Sequence, residues 1–166
     1  TQGGAFARSL AEHLMGLPET QVLHLHGGRI RDLDSACREL QRALRDRRRL
    51  AEGLEGLIRL LRRAPVGVKR QYFVWEDADT LLESDVEAFG RVANTMFSIA
   101  AEREQLNPDL LVLQRFIFIG NDKLGAYAED EHGQFRAWKV EDDDTEFWEV
   151  MSCVDRPPVL TYRLNG

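Results

Sequence analysis

Lysine is scarce in this chain of 166 residues: Lys69, Lys123 and Lys139 are the whole set, and none follows a glycine. A glycine-lysine phosphate loop, whose backbone N–H groups and lysine together anchor a triphosphate, is therefore missing from it. Cysteine is nearly absent too. Cys37 and Cys153 stand far apart and in no metal-ligand spacing, which suits a reducing compartment, and the expected location is cytoplasmic. No apolar run approaches the roughly 20 residues that span a bilayer, and no basic segment followed by an apolar one opens the chain, so neither membrane insertion nor a secretory leader is expected.

What is present is the composition of one soluble domain. Hydrophobic residues make up 43% and charged residues 30%, enough for a real core and too apolar for a disordered chain. The net charge of -6 is unevenly spread. Residues 1–70 carry 14 basic and 8 acidic side chains, a balance of +6, which leaves 8 basic and 20 acidic, or -12, for the remainder. Such asymmetry marks either a nucleic-acid or partner face or the solvated side of an arginine-rich helix, and the second is the commoner.

The chain is organised around Tyr72-Phe73-Val74-Trp75-Glu76-Asp77-Ala78-Asp79. Four apolar residues without alternation fit a strand buried on both faces, and acids just past its carboxyl end sit where open α/β sheets bind ligands. A helix follows, opened by Ser84-Asp85-Val86-Glu87 as a capping box and carrying Val86, Phe89, Val92, Met96, Phe97 and Ala100 on one side to about Leu106. A second apolar strand runs from Leu111 to Ile119 and ends in Gly120-Asn121-Asp122.

Strand, acidic turn, helix, strand, polar end: over Gln71 to Asp122 this order resembles the Walker B and sensor 1 segments of AAA+ and related P-loop ATPases, above all the clamp-loader form. The resemblance implies a three-layer α/β sandwich with a mainly parallel, P-loop NTPase-like sheet, and ATP with magnesium as cofactors. Glu76 and Asp77 would take the metal positions, Asp77 would also activate the water, and Asn121 would place it. Walker B ordinarily reads Asp-Glu rather than Glu-Asp, and a carboxylate one methylene shorter reaches less far. Without the phosphate loop, either the domain is a degenerate scaffold or the strand and loop before Thr1 lie outside the chain. A nucleotide-sensing arginine would be Arg136, Arg156 or Arg163.

The remaining segments fit one domain over residues 1–166. Phe6, Leu10 and Leu14 recur at helical spacing before Gly16 and Pro18, as in the helix that follows a phosphate loop. Gln21 to His26 reads as a strand closed by Gly27-Gly28; His24 and His26 share a face, and with no third ligand nearby in sequence they read as edge histidines rather than metal ligands. Residues 32–64 form an arginine-rich helical insertion. Leu33, Cys37, Leu40, Leu44, Ala51, Leu54, Ile58 and Leu61 make a stripe, either as one helix or as an αα-hairpin broken near Gly53. Its Arg45, Arg47, Arg48 and Arg49 are the candidate contacts for a protein or nucleic-acid partner in a non-enzymatic reading. Further on, residues 133–140 alternate like a strand, Glu146 to Val154 is expected to be a short helix with Asp142, Asp143 and Asp144 at its start, and Val159 to Leu164 is a last strand.

Overall fold

The computed structural model describes residues 2–48, 53–63, 67–106, 113–121, 123, 124, 126, 127, 135–139 and 146–150. The protein is α/β. Its sheet has the order β1-β2-β3-β5-β4, with β1 (Thr20–His26), β2 (Arg70–Glu76) and β3 (Leu113–Gly120) parallel. The strands β4 (Phe135–Lys139) and β5 (Glu146–Val150) pair with one another and with β3 in antiparallel fashion.

Burial of β2 follows its composition. Tyr72 and Val74 face one side, where Ala7, Leu10 and Leu14 of α1 (Gln2–Met15) pack against them with Ile117 and Ile119 of β3. Phe73 and Trp75 face the other, larger core, with Phe116, Phe118 and the helices α2 (Leu33–Ala43), α3 (Gly53–Leu61) and α5 (Val86–Leu106). Phe73 stacks on Phe116 at 4.7 Å, and Trp75 meets Phe118 edge-on at 5.0 Å. A strand covered on both faces has no polar side, so the alternation of a half-exposed strand is absent from its sequence.

Register across the parallel strands is fixed by a polar ladder near their amino ends. Gln21, Gln71 and Gln114 are aligned partners. Gln71 donates its amide to Gln21 at 2.8 Å, and Gln114 donates to Gln71 and to the Leu61 carbonyl, each at 2.8 Å. A slip of one residue would bury these amides without partners, so the ladder penalises every other register.

The outer edge of β1 is closed by α2. At the end of this strand the His26 N–H and the His24 carbonyl point away from β2. Glu39 accepts the first at 3.1 Å, and Arg42 donates to the second at 3.0 Å. Glu39 is only 3% exposed and also holds the exposed Arg42 guanidinium, so one ion pair satisfies two backbone groups that an edge strand would otherwise leave to water.

Several expectations are decided or corrected. Of the two forms left open for the arginine-rich stretch, the structure has the two packed helices. The break comes after Ala43, before Gly53, where Arg45 takes a left-handed φ of 53° and the Asp46 carboxylate receives the Arg48 N–H at 2.9 Å. This resets the helical phase, so α3 buries Leu57, Leu60 and Leu61 and leaves Leu54 exposed. The cap of α5 is Asp85, whose carboxylate accepts the Ala88 N–H at 3.0 Å; the Ser84 hydroxyl turns back to the Leu81 carbonyl, ending the short helix α4 (Asp79–Ser84). Val86 is exposed rather than on the buried stripe. Glu146–Val150 is a strand and not a helix: Phe147, Trp148 and Val150 pair with the open edge of β3, where aromatic and β-branched side chains are favoured. The expected strand Val159 to Leu164, the acids Asp142, Asp143 and Asp144, and Asp122, Arg156 and Arg163 lie outside the described residues.

Candidate functional site at the carboxyl ends of the parallel strands

Three strand ends meet here. β1 stops at His26, β2 at Glu76 and β3 at Gly120, and the parallel register sets His26 directly beside Glu76, with His24 beside Val74. Side chains two apart share a face. His24, His26 and Glu76 therefore emerge together on the side of the sheet that α1 covers, one step beyond Val74 and its apolar cluster.

Glu76 is held by both imidazoles. His24 Nε2 lies 2.9 Å from Oε2 and His26 Nδ1 lies 2.8 Å from Oε1, while the two rings tilt against each other at 4.5 Å. Burial works against the Glu76 charge; the hydrogen bonds from His26 and His24 outweigh it and keep the carboxyl below the usual glutamate range. The side chains of His24, His26 and Glu76 remain 23%, 37% and 16% exposed, so the group opens to solvent.

Asp77 turns the chain. Its φ of 49° is left-handed, a conformation aspartate tolerates better than most residues, and its carbonyl accepts the Thr80 N–H at 3.0 Å to start α4. The next N–H, that of Ala78, reaches back to the Ile119 carbonyl at 2.9 Å and ties this turn to β3. Gly27 makes the close approach possible: a Cβ there would fall within 3.0 Å of the Glu76 and Asp77 carbonyl oxygens. Burial, with the Glu76 charge beside it, pushes the Asp77 carboxyl above the ordinary aspartate range.

Asn121 belongs to a second cluster on these ends. Its amide donates to Asp79 Oδ2 at 3.0 Å and to Glu83 Oε1 at 3.2 Å, and its Oδ1 accepts the Lys123 N–H at 3.0 Å. Lys123 Nζ closes the ring on Glu83 at 2.9 Å. The half-buried Asp79 is pushed up, by desolvation first and then by Asp77 and Glu83. Thus Glu76, Asp77 and Asn121 do arrive on neighbouring strand ends, with Glu76 committed to two histidines and Asn121 to Asp79 and Glu83.

Of the arginine candidates Arg48 is paired with an acid, and so are several arginines around them. Arg42 pairs with Glu39, Arg59 with Glu55, Arg62 with Glu102, and Arg48 and Arg63 with Asp46. Arg45 and Arg47 are exposed, and Arg49 lies outside the described residues. Arg136 sits in β4 opposite Glu149. Among the described residues no helix is long and apolar enough to cross a membrane.

The spacing of His24 and His26 marks a shared face and reads as a pair of edge histidines; their partner Glu76 is not visible in it. The missing signal was spatial: Glu76 is 50 residues from His26, and only the in-register pairing of β1 with β2 joins them. Two imidazoles and a carboxylate make a mixed nitrogen and oxygen donor set, unlike the all-oxygen octahedron that magnesium prefers. The magnesium role drawn from the Walker B resemblance therefore fits Glu76 poorly.

Searched against family models, curated proteins and solved structures, the chain finds no match in any of the three.

Proposed function

We propose that this chain is an AAA+-like module of the P-loop class that serves as a scaffold rather than as a hydrolase. The class rests on the placement of Glu76, Asp77 and Asn121 at the ends of the adjacent parallel strands β2 and β3, with α5 crossing between them. One observation carries the scaffold reading: the carboxylate of Glu76, which the resemblance assigns to magnesium, has an oxygen engaged by each of two imidazoles. With Glu76 so engaged, the acid beside Asp77 among the described residues is Asp79, whose Oδ2 accepts from Asn121, and the Asn121 amide also reaches Glu83.

Phosphate release from ATP in magnesium, measured on the full native protein beside Asp77→Asn and Asn121→Ala, tests the proposal. The expected rate equals background for all three. A rate above background that falls on the order of 100-fold or more in Asp77→Asn, the loss typical of a missing general base, would overturn it. The arginine-rich hairpin, with five of its arginines in ion pairs, offers less free positive charge to a nucleic-acid backbone than its composition suggests.

A further inference from the structure

We propose that His24, His26 and Glu76 form a binding site for one divalent transition-metal ion of the zinc type. One nitrogen from each ring and one Glu76 oxygen lie within 4.8 Å of one another, and each comes from a strand end rather than from a loop. A zinc ion about 2.0–2.1 Å from each ligand sets neighbouring donors roughly 3.4 Å apart. His24 Nε2 lies 2.9 Å from Oε2 and His26 Nδ1 lies 2.8 Å from Oε1, two different Glu76 oxygens, so gathering both rings and one of these oxygens around an ion takes a turn of the carboxylate and of the rings.

The surroundings suit a metal in two further ways. The backbone on both sides of the ligands is pinned, with Glu39 on the His26 N–H and Arg42 on the His24 carbonyl. This is the outer support that keeps ligand positions fixed before the ion arrives. The partial exposure of all three ligands leaves the fourth position open to water or to a small anionic ligand, the arrangement of zinc sites with three protein ligands. Borderline imidazole donors select zinc, cobalt, nickel or copper over magnesium and calcium, which take oxygen alone.

The site stands apart from the scaffold proposal, since the ion needs neither nucleotide nor phosphate. Calorimetric titration of the full chain with Zn2+ tests it, paired with Co2+ substitution read by visible absorption. The expected result is one ion per chain at micromolar affinity or tighter. The Co2+ complex should show the intense visible bands of a four- or five-coordinate site. His24→Ala, His26→Ala and Glu76→Gln should each weaken binding at least 10-fold, with circular dichroism confirming that each variant is folded. In the wild-type chain, Zn2+ at 100 times its Kd should also raise the unfolding free energy by about 2.7 kcal/mol, a readout that needs no variant. Absence of binding in the folded wild type would mean that the imidazoles only solvate the Glu76 charge, and would overturn the proposal. So would one-to-one binding that all three variants retain, which places the ion elsewhere.

Discussion

Replacing Glu39 tests how the ends of β1 are held. In Glu39→Ala three contributions are lost. The His26 N–H loses its acceptor at the sheet edge, which costs about 1–3 kcal/mol and toward the lower end here because water can approach. One buried methylene goes, worth about 0.8 kcal/mol. The bonds to Arg42 also vanish, yet its side chain is 43% exposed and recovers solvation, so this part is worth no more than about 1 kcal/mol. The sum is about 3 kcal/mol. Glu39→Gln keeps the methylenes and an oxygen for the His26 N–H, so its cost is about 1 kcal/mol. Urea unfolding followed by circular dichroism, with unchanged m-values, gives both numbers. If Gln proves as damaging as Ala, the backbone N–H is not what Glu39 serves; if Ala costs under about 1 kcal/mol, the edge is not held by this pair.

The close approach at Gly27 makes a second prediction. Gly27→Ala pushes a methyl group against two backbone carbonyls that cannot swing aside and should cost about 2–3 kcal/mol, whereas Gly28→Ala, with open space around it, should be neutral or slightly stabilising in the same urea assay. A third concerns Asp79, whose folded carboxyl holds its proton more tightly than the unfolded one. Stability therefore falls as pH rises from the unfolded value of 3.8 through the raised folded value. Asp79→Asn, which keeps an oxygen for Asn121, should be more stable than wild type at pH 7 and lose that advantage below pH 3.8; an advantage that persists at low pH would show that charge is not its cause.

Much of this fold is legible in the sequence where apolar pattern alone decides it. The unbroken run Tyr72 to Trp75 announces a strand with helices on both sides, and Leu10 and Leu14 recur as the face that α1 lays on it. What pattern cannot decide is competition between neighbours of similar chemistry. Ser84 and Asp85 are both good N-caps, and the choice falls to Asp85 because α4 uses the Ser84 hydroxyl for its own last turn. The hairpin connection is marked in the sequence at its far end, where Gly53 takes a left-handed φ of 72° and opens α3, and unmarked at its near end, where the left-handed residue is Arg45. The segment Glu146–Val150 shows why local signals mislead at a sheet edge: acids upstream suggest a helix start, while the open side of β3 makes pairing the stronger claim. The candidate site was half legible. Each of its residues stood out alone, two histidines ending one strand and an acid ending another, yet their meeting depends on which strands neighbour each other and in what register.

The central claim is that Glu76 answers to two imidazoles and not to magnesium and phosphate. Long-range proton-nitrogen NMR of the imidazole rings tests it most directly, since the chain has only four histidines. Titrated with Zn2+, His24 and His26 should both shift, His24 through Nε2 and His26 through Nδ1, while magnesium and ATP added to the metal-free protein should leave both in place. Shifts of the same two rings on adding magnesium and ATP, with no response to Zn2+, would contradict the account and return Glu76 to the role its Walker B-like position suggests.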